Sequence, residues 1–310
     1  MIRSALERVA AMGTWLMASA FVIGYLLPPL AAACREFILP AIIVILTVAM
    51  LRLDVARLRG YIRRPGAMAL IVLVNPIAAP VLMWVLLTPI DIPDELRQGM
   101  VLLAAAPMVS SAIAFATILE LDSALAVAVM VTTYAIVPIT LPALSLWLLG
   151  LDLGVGFFDL FSRLFATIAI PAGIAFAIRR WVIKPEIMLK NARALDGISV
   201  LFVMVFGFGI IHGLPDFVAA RPDYVVLVLA ASFAANIGLQ IVGAALFLWM
   251  GRREALTVGL VTGNTNLGLL MVTLADRAPP ELLVCFVLGQ IPMYFLPVVA
   301  LPVYRRLMRA

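Results

Sequence analysis

The sequence has few charged residues and very few side chains that could ligate a metal or act as a catalytic base. Charged residues make up 13% of its 310 residues, and it has one histidine and two cysteines. A soluble domain carries about 25% charge. Cys34 and Cys285 form neither a disulfide framework nor a metal site, although one bond between them stays open. With one histidine and two distant cysteines, we expect no enzyme.

What the sequence has in abundance is apolar residues, at 65% of the chain and a mean hydropathy of +1.16. The charged residues gather in short clusters between apolar runs of about 20 residues, the length that crosses a bilayer. The pattern predicts an all-α integral membrane protein with ten transmembrane helices, at roughly 10–30, 36–52, 66–88, 97–119, 122–149, 159–181, 194–213, 223–250, 254–275 and 280–304. We expect a multi-pass protein of a bacterial inner (plasma) membrane.

Basic residues are distributed unevenly between the two sides of this predicted topology. Most of them fall on the side that holds both termini, in the clusters Arg52–Arg64, Arg179–Arg193 and Arg305–Arg309. The positive-inside rule therefore predicts that both termini are cytoplasmic. The connecting segments are short and contain no soluble basic face, so the expected partner is the lipid bilayer and not nucleic acid.

The two halves of the chain repeat the same landmarks. Five spans precede residue 150 and five follow it, which predicts a first repeat over 1–150 and a second, inverted repeat over 151–310. Asn75 in "VNPIAAP" has its counterpart in Asn236 of "ANIGLQ", and Pro107 in "APMVSS" has its counterpart in Gly263 of "TGNTN". Inverted repeats of this kind are typical of secondary transporters.

Two polar runs, each near the centre of a predicted span, predict broken helices. Pro107 lacks an N–H, and Gly263 tolerates non-helical backbone. We expect Ser110 and Ser111 to cap the helix that follows the first break. We expect Asn264, Thr265 and Asn266 to supply hydrogen-bond donors and acceptors at the second break and to cap the helix that follows it. Helix N-termini at the bilayer midplane favour a small anion, although the unwound carbonyl groups could instead hold a cation.

Further polar residues in the predicted spans are candidates for substrate or ion binding or for fastening the broken helices, namely Asn75, Thr132, Thr133, Asn236, Gln240 and Gln290. At the ends of spans, we expect Asp122 to cap the fifth span and Asp159 to pair with Arg163.

Three segments in order resemble the bile acid:sodium symporter superfamily. They are "ILPAIIVILTVAMLRLDVARLRGYIRRP", "APMVSSAIAFATILELDSALAVAVMVTTYAIVPITLP" and "GRREALTVGLVTGNTNLGLLMVTLA". The resemblance implies a core of spans 3–5 and 8–10 and a panel of spans 1, 2, 6 and 7. It also implies a site where the broken spans four and nine cross, and transport by alternating access.

The chain departs from this family at the positions where the resemblance implies sodium ligands. Those positions hold Ala112, Ile113, Ala126, Met130 and Val261. Sodium is a hard cation that needs oxygen ligands, which methyl groups do not supply. We therefore expect the sodium site to be lost or degraded, and we expect no other cofactor.

The function that these observations favour is secondary active or facilitative transport of a small organic anion, a carboxylate with an apolar portion. Two alternatives stay open. One is a membrane sensor or scaffold with a transporter-like fold, and the other is a ten-helix exporter of the auxin-efflux or drug/metabolite type.

Overall fold

A computed structural model describes residues 2–51, 61, 65–150, 156–183, 185–274 and 277–309. Within these ranges every regular element is helical, and two residues alone, Met108 and Thr265, pair as in a β-sheet. The predicted all-helical fold class is thus confirmed. Several of the basic residues used to predict the topology lie outside the described residues: Arg52, Arg57, Arg59, Arg63, Arg64 and Lys184.

The chain divides into two compact units, and the first consists of Met1–Leu53 and Phe165–Asp223. Its helices are α1 (Ile2–Ala11), α2 (Gly13–Leu26), α3 (Pro28–Arg35), α4 (Ile38–Leu51), most of α10 (Phe157–Ala177) with a π-helical end (Ile178–Val182), α11 (Pro185–Lys190), α12 (Ala192–Ile210) and α13 (Leu214–Ala220).

Helix α12 organises the first unit because small residues on it allow other helices to approach closely. Gly197 packs directly against the backbone of Leu6 in α1, and Gly209 packs against Cys34 and Ile38. Close backbone approach at glycine is the usual way in which membrane helices associate, since lipid provides no hydrophobic drive between them.

The second unit consists of Asp54–Leu164 and Tyr224–Ala310. Its helices are α5 (Pro65–Leu73), a π-helical turn (Val74–Ala78), α6 (Ala79–Leu87), α7 (Asp94–Ala105), α8 (Ser111–Ile118), α9 (Ser123–Trp147), α14 (Pro222–Leu246), a 3-10 turn (Leu248–Met250), α15 (Arg252–Gly263), α16 (Leu267–Leu274), α17 (Pro280–Leu288), α18 (Gln290–Val299) and α19 (Leu301–Arg309).

Six helical segments of the described residues are long and apolar enough to cross a membrane. They are Pro65–Leu87, Ser123–Trp147, Phe157–Val182, Ala192–Ile210, Pro222–Leu246 and Pro280–Pro297. A seventh results if Pro28–Arg35 and Ile38–Leu51, which meet at 70°, form one span. The protein is therefore a multi-pass membrane protein, with six to seven spans of this kind where the sequence predicts ten. The predicted spans 97–119 and 254–275 are each divided into two shorter helices.

Two expectations about charged residues at helix ends are confirmed. The Asp122 carboxylate accepts hydrogen bonds from the N–H groups of Ala124 and Leu125, at 3.0 and 2.9 Å, and so caps α9. Asp159 pairs with Arg163 one helical turn later, at 3.2 Å. Both cysteines are free, so the disulfide that the sequence left open is not formed.

We predict that Gly197→Ala destabilises the protein. A Cβ atom there would lie 2.1 Å from the carbonyl oxygen of Leu6, so α1 and α12 would have to separate. Overpacking of this kind costs about 1–3 kcal/mol, which thermal unfolding of the purified protein in detergent should detect as a lower Tm.

The matched control is Gly173→Ala in α10 of the same unit, where an added Cβ meets no atom within 4 Å. Alanine is the better helix former by roughly 0.5–1 kcal/mol, so this variant should be at least as stable as the parent. A Gly197→Ala protein that matches the control would contradict the close packing of α1 on α12.

Candidate functional site

The second unit contains two helix interruptions, which lie where the sequence is polar or contains proline. The first interruption comprises residues 106–110, between the end of α7 at Ala105 and the start of α8 at Ser111. The second comprises residues 264–266, between α15 and α16. Neither Ala106 (φ −66°, ψ 148°) nor Asn264 (φ −102°, ψ 86°) has helical backbone, so the N–H and C=O groups on either side need other partners.

The two interruptions satisfy each other's backbone through a short antiparallel pairing. Met108 lies opposite Thr265. The N–H of Val109 donates to the carbonyl oxygen of Asn264 at 2.9 Å, and the N–H of Asn266 donates to that of Pro107 at 2.6 Å. Pro107 suits this place because it offers only an acceptor. The pairing supplies hydrogen bonds to backbone groups that are buried in the protein, where an unpaired group would be costly.

Side chains satisfy carbonyl groups at the C-terminal ends of the two helices that stop here. The Thr265 hydroxyl donates to the carbonyl oxygen of Leu103 in α7 at 2.7 Å. The Asn236 amide, from α14, donates to the carbonyl oxygen of Gly263 in α15, also at 2.7 Å. The last carbonyl groups of a helix have no partner within that helix. Thr265 and Asn236 therefore each provide a hydrogen-bond donor to a carbonyl group at the end of an interrupted helix.

Asn266 serves the start of α16 and contacts α9. Its Oδ1 accepts the N–H of Leu269 at 3.1 Å, so it is the N-cap of α16. Its Nδ2 donates to the hydroxyl oxygen of Tyr134 at 2.7 Å. Sequence reasoning missed Tyr134, although a tyrosine in an apolar helix usually needs a partner for its hydroxyl group.

The expectation that Ser110 caps α8 with its side chain is wrong. Ser110 has helical backbone angles (φ −62°, ψ −28°) and makes no side-chain cap hydrogen bond. A capping side chain needs an extended backbone at its own position to reach the N–H groups of the first turn. Ser111 is the first residue of α8, and its hydroxyl lies beside Tyr294 of α18.

Asn75 reaches the same region from the π-helical turn between α5 and α6. Its Oδ1 lies 2.6 Å from the hydroxyl oxygen of Thr262, which also lies 2.7 Å from the carbonyl oxygen of Val258. One hydroxyl proton can serve only one of these acceptors at a time. Asn75 and Asn236 thus both act on the C-terminal end of α15.

Two buried amide atoms in this region have no hydrogen-bond partner among the described residues. They are Nδ2 of Asn75 and Oδ1 of Asn264. Asn264 is completely buried, and its Nδ2 donates to the carbonyl oxygen of Leu260 at 2.7 Å. Leaving a buried polar atom without a partner costs about 1–3 kcal/mol. These two atoms are therefore the candidates in this region for a contact with a ligand.

The structure does not bring the other candidates into this network. The hydroxyl groups of Thr132 and Thr133 donate to carbonyl groups of their own helix α9. The Gln290 amide donates to the carbonyl oxygen of Phe286 one turn earlier, at 3.2 Å. Each of these bonds joins the side chain to a carbonyl group three or four residues earlier in the chain.

Two glycines allow α15 to approach α14 closely enough for the Asn236 contact. A Cβ atom at Gly259 would lie 2.4 Å from the carbonyl oxygen of Gln240, and one at Gly263 would lie 2.7 Å from that of Asn236. The spacing of four residues places both glycines on one face of the helix, a small-residue motif of membrane helices.

The positions that the resemblance assigned to sodium are packed with apolar groups. Ala112, Ala126, Met130 and Val261 are each at most 1% exposed, and Ile113 is half-buried. None of these side chains carries an oxygen atom that could coordinate a hard cation.

We predict that Thr265→Val destabilises the protein by about 1–3 kcal/mol, because the near-isosteric change leaves the buried carbonyl of Leu103 without its side-chain donor. The measurement is thermal unfolding of the purified protein, compared with Thr273→Val. The Thr273 hydroxyl is equally buried but donates to the carbonyl oxygen of Leu269 within its own helix. Equal losses of stability in the two variants would refute a fastening role for Thr265.

The sequence was compared with models of known protein families and with curated proteins. The sequence model of the Sodium Bile acid symporter family matches residues 39–221, more than half of the chain. The match includes the first interruption and ends before the second. No curated protein matches the sequence. On the strength of the family match, the chain belongs to the Sodium Bile acid symporter family, a family of membrane transporters.

Proposed function

We propose that the protein is a secondary active or facilitative transporter of a small organic anion, a carboxylate with an apolar portion, that works by alternating access without sodium coupling. The observation that carries the proposal is the pairing of the two interruptions, with unpartnered amide atoms of Asn75 and Asn264 buried beside it. Interrupted helices in corresponding positions of two halves are the best sequence pointer to a transporter's binding site.

The electrostatics of the paired interruptions favour an anion over a cation. Helices α8 and α16 both begin within three residues of the Met108–Thr265 pair, so two N-terminal ends, each with a partial positive charge of about half an electron, meet there. The carbonyl groups of Leu103, Pro107, Gly263 and Asn264 already accept hydrogen bonds from the protein. Helix α8 starts without a side-chain acceptor, and in its first turn the N–H groups of Ala112 and Ile113 donate to the carbonyl groups of Val109 and Ser110. No side chain neutralises the partial positive charge of this helix end, which favours a carboxylate.

The apolar positions at Ala112, Ile113, Ala126, Met130 and Val261 support the absence of sodium coupling. Their side chains are largely buried and cannot replace the hydration shell of a sodium ion. Transport driven by the substrate's own gradient or by exchange requires no such site.

The proposal includes a ten-span topology with both termini in the cytoplasm of a bacterial cell. Helices α7 and α8 together, and α15 and α16 together, would each cross the membrane as one interrupted span, with the interruptions near the bilayer midplane. Alternating access requires two bodies that can move, and the division of the chain into two compact units supports that mechanism.

The first test is a thermal-shift screen of the purified protein against phenylacetate, octanoate and cholate, with phenylacetamide as the uncharged control. We expect at least one carboxylate to raise the Tm, since a ligand that binds only the folded state stabilises it by about 2.7 kcal/mol at one hundred times its Kd. Asn264→Ala and Asn266→Ala should abolish the shift, whereas Thr273→Val should preserve it. A shift that survives both asparagine changes would place the site elsewhere.

The second test addresses the coupling ion. Proteoliposomes containing the protein should take up a radiolabelled carboxylate from the screen at the same rate with an inward sodium gradient or an equal potassium gradient, because no oxygen ligands occupy the sodium positions. A rate that collapses when potassium replaces sodium would disprove the proposed loss of sodium coupling.

A further inference from the structure

One large side chain of the C-terminal helix α19, that of Tyr304, is buried in the protein interior. Tyr304 is 7% exposed, while Val303 and Leu307 are 55% and 47% exposed. Its neighbours Arg305 and Arg306 are also exposed. A buried tyrosine needs a partner for its hydroxyl group, and that partner connects α19 to the second interruption.

Three hydrogen bonds run in series from Tyr304 to the last residue of α15. The Tyr304 hydroxyl donates to Oε1 of Gln240 at 2.6 Å. Nε2 of Gln240 donates to Oδ1 of Asn236 at 2.6 Å, and Nδ2 of Asn236 donates to the carbonyl oxygen of Gly263 at 2.7 Å. We call these three side chains the Tyr304 relay.

The end of the relay fixes the direction of every bond in it. The Gly263 carbonyl can only accept, so Asn236 must present its Nδ2 there and its Oδ1 to Gln240. Gln240 must then donate through Nε2 and accept through Oε1, which leaves the tyrosine hydroxyl as the donor. Bonds aligned in one direction polarise one another and strengthen the series.

Close packing makes Gln240 sensitive to the position of α15. A Cβ atom at Gly259 would lie 2.4 Å from the backbone oxygen of Gln240, and one at Gly263 would lie 2.6 Å from its Cγ. Gln240 therefore packs closely against both glycines of α15.

The residue after Gly263 is Asn264, whose backbone joins the pairing and whose Oδ1 is one of the two unpartnered amide atoms described above. The orientation of the Gly263 carbonyl therefore sets the direction in which the chain enters the second interruption.

We propose that Tyr304 and Gln240 are positioning residues, which hold the second interruption in its binding geometry through Asn236 and so couple the C-terminal helix to the substrate site. This role rests on the proposed transport function, but the geometry that it predicts can be measured without any substrate.

The test is hydrogen–deuterium exchange of the purified full-length protein, followed in peptides that cover residues 260–270 and 106–113. Tyr304→Phe removes only the donor hydroxyl and leaves Oε1 of Gln240 without this hydrogen bond. We expect exchange in both peptides to become faster on the order of tenfold, because the N–H groups of Val109 and Asn266 depend on the pairing. Gln240→Met should produce the same change.

Tyr224→Phe is the matched control. Tyr224 is a buried tyrosine near the start of α14, whereas Gln240 lies near the end of that helix. The Tyr224 hydroxyl donates to the carbonyl oxygen of Glu281 and contacts Sγ of Cys285. The Tyr224→Phe variant should exchange in both peptides at the same rate as the parent protein. If Tyr304→Phe also leaves that rate unchanged, or if Tyr224→Phe accelerates it equally, the relay does not position the interruption.

A double-mutant cycle with Tyr304→Phe and Gln240→Met tests whether the two side chains act through one series of hydrogen bonds or contribute independently to packing. If Tyr304 and Gln240 act through one series of bonds, the double variant should exchange no faster than Gln240→Met alone. Additive effects would overturn the relay.

Binding gives the last readout, with cholate as the probe. Tyr304→Phe should raise the cholate concentration that half-protects residues 260–270 by about tenfold, while Tyr224→Phe should not. Faster exchange with unaltered half-protection would overturn the positioning role. If neither cholate nor the other two carboxylates of the thermal-shift screen protect the parent, the proposed substrate class fails, while the exchange comparison still decides the relay.

Discussion

The antiparallel hydrogen bonds between residues 106–110 and 264–266 are the interaction on which the second unit depends. A helix that stops inside an apolar environment exposes N–H and C=O groups, and nothing in lipid can satisfy them. Here each interruption provides the partner of the other, through Val109 with Asn264 and Asn266 with Pro107. Neither interruption could exist alone at this depth of burial, so the two have to be formed together.

This constraint explains why one polar run contains both fastening groups and unpartnered groups. Thr265 bonds to the carbonyl of Leu103, and Asn266 caps α16 and bonds to Tyr134. Asn264 lies between Gly263 and Thr265, and its Oδ1 has no hydrogen-bond partner in the described part of the chain. The same short run therefore contains asparagine atoms that stabilise the interruption and an asparagine atom without a partner, and residue type alone does not separate the two.

The close contact between α14 and α15 connects the second interruption to more distant residues through hydrogen bonds. Gly259 and Gly263 let α14 lie against α15, and this contact brings Asn236 to the Gly263 carbonyl and Gln240 to Asn236. Tyr304 completes the series from the last helix. Since protein interiors are close-packed, we expect a displacement at one end of such a series to affect the other end.

The sequence by itself determined the helical class, the family resemblance and the positions of the interruptions, because apolar run length, proline and glycine act locally on the backbone. It also indicated the cap at Asp122 and the pair Asp159–Arg163, which are close in sequence. It misjudged Ser110, whose role depends on backbone angles that residue type leaves open. Only the tertiary structure decided that Met108 pairs with Thr265, that Asn75 and Asn236 both act on α15, and that Tyr134 and Tyr304 take part. These contacts join residues that lie far apart in the chain, and their partners are selected by packing, which no local pattern encodes.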